Sequence, residues 1–308
     1  MKNEHVKIME NFTLENIPDL DVCTLASLEM FSHSRLPKIN FNSCKRPLVV
    51  GSGNAAVTGK IIFADLDAIF ANESSLSEKL KNIKPIDGVF LLSASGSKHS
   101  IEIAKKAKAA KKQCWLLTCN PHAPAGKFMS RKNIFVFPKN REPYTYNTST
   151  YMGMILAKTK ESPKKIKNFI EKKVRPAIPS DISSYSGYYL MLPEQFDCMK
   201  EMFTIKFVEL FGRRIARDIF TSEQSRHATS VVPADELFIH FGKSDVDLGK
   251  KITIPLPPKA GYAAMMAIGY YVIGRIQAGK PPWFKQNLEE YCRKSSKLFG
   301  QDILPVVE

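Results

Sequence analysis

The stretch Gly88-Val-Phe-Leu-Leu-Ser-Ala-Ser-Gly-Ser-Lys-His-Ser100 decides the fold. Its first five residues form an unbroken apolar run with the length of a strand buried on both faces. Its last eight hold four serines and one glycine, and a helix-length segment, 101–112, follows. Strand, small-residue turn and helix together make the unit from which a parallel sheet is built. Outward from this stretch the unit recurs, with short apolar runs at Pro47–Val50, 67–71, Gln113–Thr118 and 133–138 separated by helix-sized segments. The expected class is therefore α/β, a parallel sheet flanked by helices.

Residues 1–40 read as a helical lead-in, with apolar side chains at Leu20, Val22, Leu25, Leu28 and Phe31. The first subdomain then spans 41–160 and closes on a helix at 151–157. A basic stretch over 161–182, ending in Arg175-Pro-Ala-Ile-Pro179, reads as a linker. Residues 183–308 repeat the scheme in shortened form, with a C-terminal tail. Strands are expected at 188–192, Glu236–Phe241 and 251–256, a long helical region at 194–219, and an apolar helix at 261–277. With three strand signals, the second sheet is expected to lack a β–α unit.

The chain has 308 residues, 44% hydrophobic and 24% charged, which fits a packed protein and excludes a largely disordered one. The first ten residues alternate polar and apolar types and lack the apolar core of a signal peptide. The longest nearly uncharged apolar stretch, 261–274, is shorter than the ~18–20 residues that span a bilayer, so no membrane segment is expected. Six cysteines (Cys23, Cys44, Cys114, Cys119, Cys198, Cys292) without C-x-x-C spacing argue for reduced thiols in a cytoplasm, against a disulfide scaffold or a zinc site.

Forty-five Lys+Arg against 30 Asp+Glu give a net charge of +15. That field suits nucleic acid, an acidic surface or a small phosphorylated anion. The densest runs, 105–112 and 158–175, carry no zinc-finger spacing and no RNP-like aromatic motif. Solvated helix faces and a basic linker are expected from them, and nucleic acid is not.

In open α/β sheets, ligands bind beyond the C-terminal strand ends, where helix starts offer free N–H groups. Two loops sit at such points. Ser93, Ser95, Gly96, Ser97 and Ser100, with Lys98 among them, supply hydroxyl and amide donors that match a phosphate monoester. Helix capping by serine is the alternative use of these residues. The earlier loop, Gly51-Ser52-Gly53-Asn54, is a second small-residue turn. With Ala56 and Glu73 about twenty residues on, it also fits the G-x-G-x-x-A pattern of a dinucleotide fold. No cluster of His and carboxylates has metal-ligand spacing, and neither a metal nor a cofactor is expected.

These motifs resemble the SIS (sugar isomerase) superfamily over roughly residues 45–290. The family's opening strand and Gly-rich turn are matched by Gly51, Ser52, Gly53 and Asn54. Its Ser-x-Ser-Gly-x-Thr signature is matched by Ser93, Ser95, Gly96 and Ser97, with Lys98 where threonine is usual. Glu142 and Thr148 match a Glu-x(5)-Thr segment of the isomerase domain of glucosamine-6-phosphate synthase. In overall length the chain is nearer to the phosphoglucose/phosphomannose isomerases.

The resemblance implies two flavodoxin-like subdomains, the second shortened. It implies phosphate binding by Ser93, Ser95, Gly96, Ser97, Lys98 and Ser52, and substrate contacts at Gly51, Gly53, Asn54, Glu142 and Thr148. It also implies Glu209 as catalytic base, Lys206 as its partner and His227 for ring opening, in a homodimer with shared active sites. His227 follows the glutamate two residues later than in the synthase, with no glycine after it. The synthase's near-terminal lysine has no counterpart in 300–308, although Lys285 lies nearby. The segment Ser222-Glu223-Gln224-Ser225-Arg226 faintly echoes the phosphoglucose/phosphomannose isomerase motif and makes Glu223 with His240 a rival acid–base pair.

The chemistry suits such residues. Aldose–ketose isomerisation moves a proton between C1 and C2 of an opened sugar through an enediol(ate), which one carboxylate can serve. Lys206, one helical turn before Glu209, faces the same side, although an i,i+3 ion pair on a helix is also a common scaffold element. The expected function is a phosphosugar aldose–ketose isomerase. The alternatives are a phosphosugar-binding sensor without turnover and an amino-sugar phosphate deaminase or deglycase.

Overall fold

The computed structural model describes residues 3–227, 235–246, 249–281 and 283–307. The chain begins with α1 (Glu4–Asn11) and α2 (Leu20–His33). An alternating series follows: β1 (Pro47–Val50), α3 (Asn54–Ile62), β2 (Ile69–Ala71), α4 (Leu76–Asn82), β3 (Gly88–Leu92) and α5 (His99–Ala109). Next come β4 (Gln113–Thr118), β5 (Ile134–Val136), β6 (Glu142–Pro143), α6 (Thr148–Thr159) and α7 (Pro163–Phe169). The second series runs β7 (Gly187–Leu192), α8 (Lys200–Phe211), β8 (Ala216–Thr221), α9 (Ser222–His227), β9 (Glu236–Phe241) and β10 (Lys251–Ile254). It ends with α10 (Tyr262–Gly279), α11 (Trp283–Gln286), α12 (Leu288–Phe299) and β11 (Val306–Val307).

Two compact units emerge. One contains Ser34–Lys139 and Ser149–Lys160; the other contains Met1–His33, Asn140–Thr148 and Glu161–Glu308. We call them the first-sheet and second-sheet units.

The first sheet has the order β2-β1-β3-β4-β5, and every pairing is parallel. Alternate residues of a strand face opposite sides. Leu48, Val50, Val89, Leu91 and Leu116 therefore form one face, packed on Ile103, Ala104 and Ala107 of α5. On the other face Phe90 stacks on Trp115 at 4.6 Å between centroids, and Phe63 packs on Phe90 at 4.8 Å. Burying each such side chain contributes about 1.5–3 kcal/mol, so the central strands β1, β3 and β4 dominate this core.

The second sheet has the order β10-β9-β7-β8, again all parallel. It repeats the walk of the first sheet, with β8 to one side of β7 and β9 then β10 to the other. Among the described residues this sheet has four strands against five in the first, so it is the shorter. Its edge strand β8 lies partly inside the region expected to be helical, 194–219. Only 200–211 of that region is α-helix, preceded by a 3-10 turn at Glu194–Met199. The physical reason is the composition of β8: it opens with Ala216, Arg217 and Asp218, pairs with β7 alone, and needs no continuous apolar run. Parallel strands β9 and β10 are joined by 242–250 alone, with no helix among the described residues there.

The lead-in helices belong to the second-sheet unit, where α2 packs along α10. Residues 161–182 are no extended connection. α7 passes into a π turn at Ile170–Val174 and a 3-10 turn at Arg175–Ala177. Ile166, Ile170 and Val174 recur every four residues and are buried, while Lys164, Lys165, Lys172 and Lys173 face solvent. Among the described residues no helix is long and apolar enough to cross a membrane.

Candidate functional site

The two small-residue loops follow β1 and β3, which are adjacent parallel strands of the first sheet. Gly51 is buried, and a side chain there would meet the Ala55 and Ala56 backbone at 2.8–3.0 Å. Glycine thus lets α3 start directly behind β1. The Ser52 hydroxyl donates to the Glu73 carboxylate just beyond β2. Asn54, the first residue of α3, is buried, and its Oδ1 has no hydrogen-bond partner among the described residues. Burial raises the Glu73 pKa, but the Ser52 hydroxyl, the residue's own N–H and His99 outweigh it and hold the carboxyl below its ordinary range.

In the 93–98 loop the backbone carbonyls are tied back. Ala94 O accepts from Cys119 N at 3.0 Å and from the Thr118 hydroxyl at 2.8 Å. Ser95 O accepts from Asn120 Nδ2 at 3.0 Å, and Gly96 O accepts from Ala125 N at 2.9 Å. Gly96 has φ +63°, and a Cβ there would lie 2.5 Å from the Ala123 Cβ. Ser93 Oγ accepts from Gly96 N at 3.1 Å, and the Ser95 and Ser97 hydroxyls lie 2.7 Å apart. The helix-cap position of α5 is taken by Lys98, and no side chain caps the helix start. The serines are therefore not spent on capping. Partial burial pulls the Lys98 ammonium below the usual lysine range.

In the second-sheet unit, Lys206 is wholly buried and pairs with Glu209 at 2.7 Å. Its Nζ also donates to the carbonyls of Thr145 at 2.5 Å and Tyr146 at 2.7 Å, and lies 5.2 Å from the Tyr270 ring centroid. An ammonium has three protons, and all three are used. The Glu209 side chain remains 19% exposed. Burial pushes the Tyr291 phenol up to about 12, with the Glu209 charge next in size, and also raises Tyr144.

Glu142 and Thr148 are brought together, but away from any opening. Both are fully buried, with Glu142 Oε2 accepting from Thr148 N at 2.9 Å at the start of α6 and from Cys23 Sγ at 3.2 Å. Burial, followed by the Glu142 charge, pushes the Cys23 thiol well above its usual range. This is an internal brace.

Glu209 and His227 are not brought together within one chain. The start of α8 lies beside α9, where Lys200 Nζ donates to Gln224 at 2.6 Å. Glu209 is nine residues further along α8, about 14 Å away at 1.5 Å per residue, towards the N-terminal edge of β8. His227 follows the opposite edge, is 81% exposed, and lies 3.6 Å from Glu223. Glu223 also faces solvent and pairs with Arg226 at 3.6 Å, whereas His240 is buried within β9. Lys285 pairs with Asp19 at 2.7 Å.

The second sheet has its own cavity of about 550 Å³ at the corresponding strand ends, lined by Glu194, Ser222, Glu223, Arg226, Lys243 and Asp245 among others. Several of the charged groups that line it pair with one another. Glu194 Oε1 accepts from Glu223 N at 2.6 Å, and Arg226 grips both oxygens of Asp245 at 2.6 and 2.7 Å. The start of α10 is closed likewise, with the Glu161 carboxylate accepting from the N–H groups of Gly261, Ala263 and Ala264 at 2.8–3.2 Å. Among the described residues no group of three or more His, Cys, Asp or Glu is arranged to hold a metal ion.

Comparison with known families and with curated proteins finds no match for this sequence. Comparison with solved structures does. The chain is similar to the tagatose-6-phosphate ketose/aldose isomerase of Escherichia coli, at 14% identity and TM-score 0.55, over 78% of this chain and 85% of that one. It is similar to the glucosamine-6-phosphate deaminase of Thermotoga maritima, at 12% identity and TM-score 0.59, over 85% and 96%. It is also similar to the C-terminal domain of glucosamine-fructose-6-phosphate aminotransferase of Francisella tularensis, at 11% identity and TM-score 0.59, over 86% and 96%. At such identities the likeness is one of fold, a pair of α/β units each built on a parallel sheet flanked by helices.

Proposed function

We propose that the protein is a sugar-phosphate isomerase of the aldose–ketose type, in which the 93–98 loop holds the phosphate and Glu209 moves the proton. The open start of α5 carries this reading: a strand-end turn whose hydroxyls are not used for capping, whose carbonyls are tied away, and which has an ammonium beside it. A dianion there accepts hydroxyl and N–H donors and gains from the helix dipole. The three similar proteins are all named for sugar 6-phosphates, which supports the substrate class.

Glu209 is the base in this reading because Lys206 stabilises its charge through Oε2 while the side chain remains partly open to solvent. With all three of its protons committed, Lys206 is a positioning residue for Glu209 rather than a contact for the enediolate. Glu142 and Thr148 are supports and not ligand contacts. Ring opening by His227 requires a second copy of the chain, because His227 and Glu209 serve opposite edges of β8.

A second reading, phosphosugar binding without turnover, is favoured by the solvent-facing His227 and the fully committed Lys206. Deuterium exchange from D2O into a panel of hexose 6-phosphates separates the two. Isomerase action predicts exchange by the wild type that falls about 10²–10⁴-fold in Glu209→Gln. Full-rate exchange by that variant, or none by the wild type, overturns it. Binding without exchange supports the second reading, and ammonia release from an amino-sugar phosphate marks a deaminase.

A further inference from the structure

We propose that Glu73 reads the hydroxyl end of a phosphosugar and so sets which sugars the first-sheet loops accept. The inference rests on the reading of the 93–98 loop as the phosphate grip, and it concerns a residue that this reading leaves unused.

Sheet order supplies the geometry. β2 pairs with β1 and β1 with β3, so the loops carrying Glu73, Ser52 and Ser93 leave three adjacent strand ends in a row. Two strand spacings amount to about 10 Å, roughly the length of a hexose 6-phosphate.

The chemistry along the row is polarised. Its β3 end offers donors: the Ser95 and Ser97 hydroxyls, the first N–H groups of α5 and Lys98. Its β1–β2 end offers an acceptor, the partly exposed Glu73 carboxylate beside the Ser52 hydroxyl. A phosphosugar has the complementary polarity, with an acceptor-only phosphate at one end and hydroxyl donors along the rest. A carboxylate has about four lone-pair positions, so Glu73 can hold the Ser52 hydroxyl and still accept from a sugar.

Charge sharpens the assignment. A carboxylate repels a phosphate, so Glu73 gives no advantage to the bare anion. It favours only a ligand long enough to bring hydroxyls to it. The rival role, a simple anchor for Ser52, predicts no such discrimination.

Isothermal titration of wild type, Glu73→Gln and Ser52→Ala with inorganic phosphate, glucose 6-phosphate and fructose 6-phosphate tests the proposal. The expected result is a loss of about tenfold or more in hexose-phosphate affinity for Glu73→Gln, the scale of a hydrogen bond to a charged acceptor, with inorganic phosphate unchanged or bound more tightly. Ser52→Ala should weaken the hexose phosphates less than Glu73→Gln does. Thermal unfolding of each variant verifies that the fold is retained, and Glu73→Ala repeats the comparison without the amide. Equal factors for phosphate and sugar phosphate, or an unchanged hexose-phosphate affinity, overturn the proposal while leaving the phosphate grip standing. If the wild type binds no hexose phosphate, the phosphate reading itself fails and this proposal falls with it.

Discussion

At the end of β3 the chain spends its carbonyls on neighbouring loops and keeps its hydroxyls, whereas at the ends of β7 and β8 it spends its charges on itself. Ser95 and Ser97 touch each other and leave the start of α5 uncapped. In the second-sheet unit Glu194 takes the Glu223 amide, Arg226 takes Asp245, and Glu161 takes three amides of α10. The strand walk is the same for four strands, so the backbone plan does not set the two apart. What differs is whether a helix start has been given a carboxylate by its own chain. The first sheet leaves the start of α5 without a side-chain cap, and the second-sheet unit gives the start of α10 a carboxylate.

The largest expected effect is in the second-sheet unit. Lys206→Ala should destabilise the protein by about 3–5 kcal/mol in urea denaturation, because it leaves Glu209 and two buried carbonyls without their cation. A loss under about 1 kcal/mol would show that the interior does not depend on this ammonium. Next comes the first sheet. The double variant Ser95→Ala/Ser97→Ala should weaken hexose 6-phosphate binding by about 100-fold, while Ser222→Ala/Ser244→Ala in the second-sheet cavity changes it by no more than about twofold. Equal losses would erase the distinction between the two sheets.

Gly96→Ala should cost about 2 kcal/mol, combining a left-handed backbone with the overlap on Ala123. A neutral result would mean that the loop tolerates another shape. The smallest effect is electrostatic. The Glu73 carboxyl is held below its ordinary range in the folded protein, so its contribution is present at neutral pH and lost as pH falls through the folded value. The residue is largely solvated, so the stability gap between wild type and Glu73→Gln should be small at pH 7 and shrink as pH falls below the ordinary carboxylate range. A gap that widens on acidification would reverse the sign.

How much of this was legible depended on whether the controlling contacts were local. Strands β1, β3, β4 and β9 match their apolar runs to the residue, because central parallel strands bury both faces and leave an unbroken signature. Strand β8 left none, since an edge strand can begin Ala-Arg-Asp. Residues 161–182 read as a linker because the lysines outnumber Ile166, Ile170 and Val174, yet those three side chains are buried along a helical segment. The serine-rich turn was visible as a density of small donors. The Glu142 brace was not, for its partner Cys23 lies 119 positions away. Nor does spacing reveal that Lys206 reaches back to the carbonyls of Thr145 and Tyr146, or that His227 emerges at the far end of β8.

The cage around Lys206 has a chemical corollary. A tetrahedral nitrogen with three fixed acceptors leaves no room for the flat, five-donor head of arginine, so even a charge-preserving exchange is a drastic one here. In a chain so rich in surface amines, acylating or methylating reagents would modify the others and pass this one by.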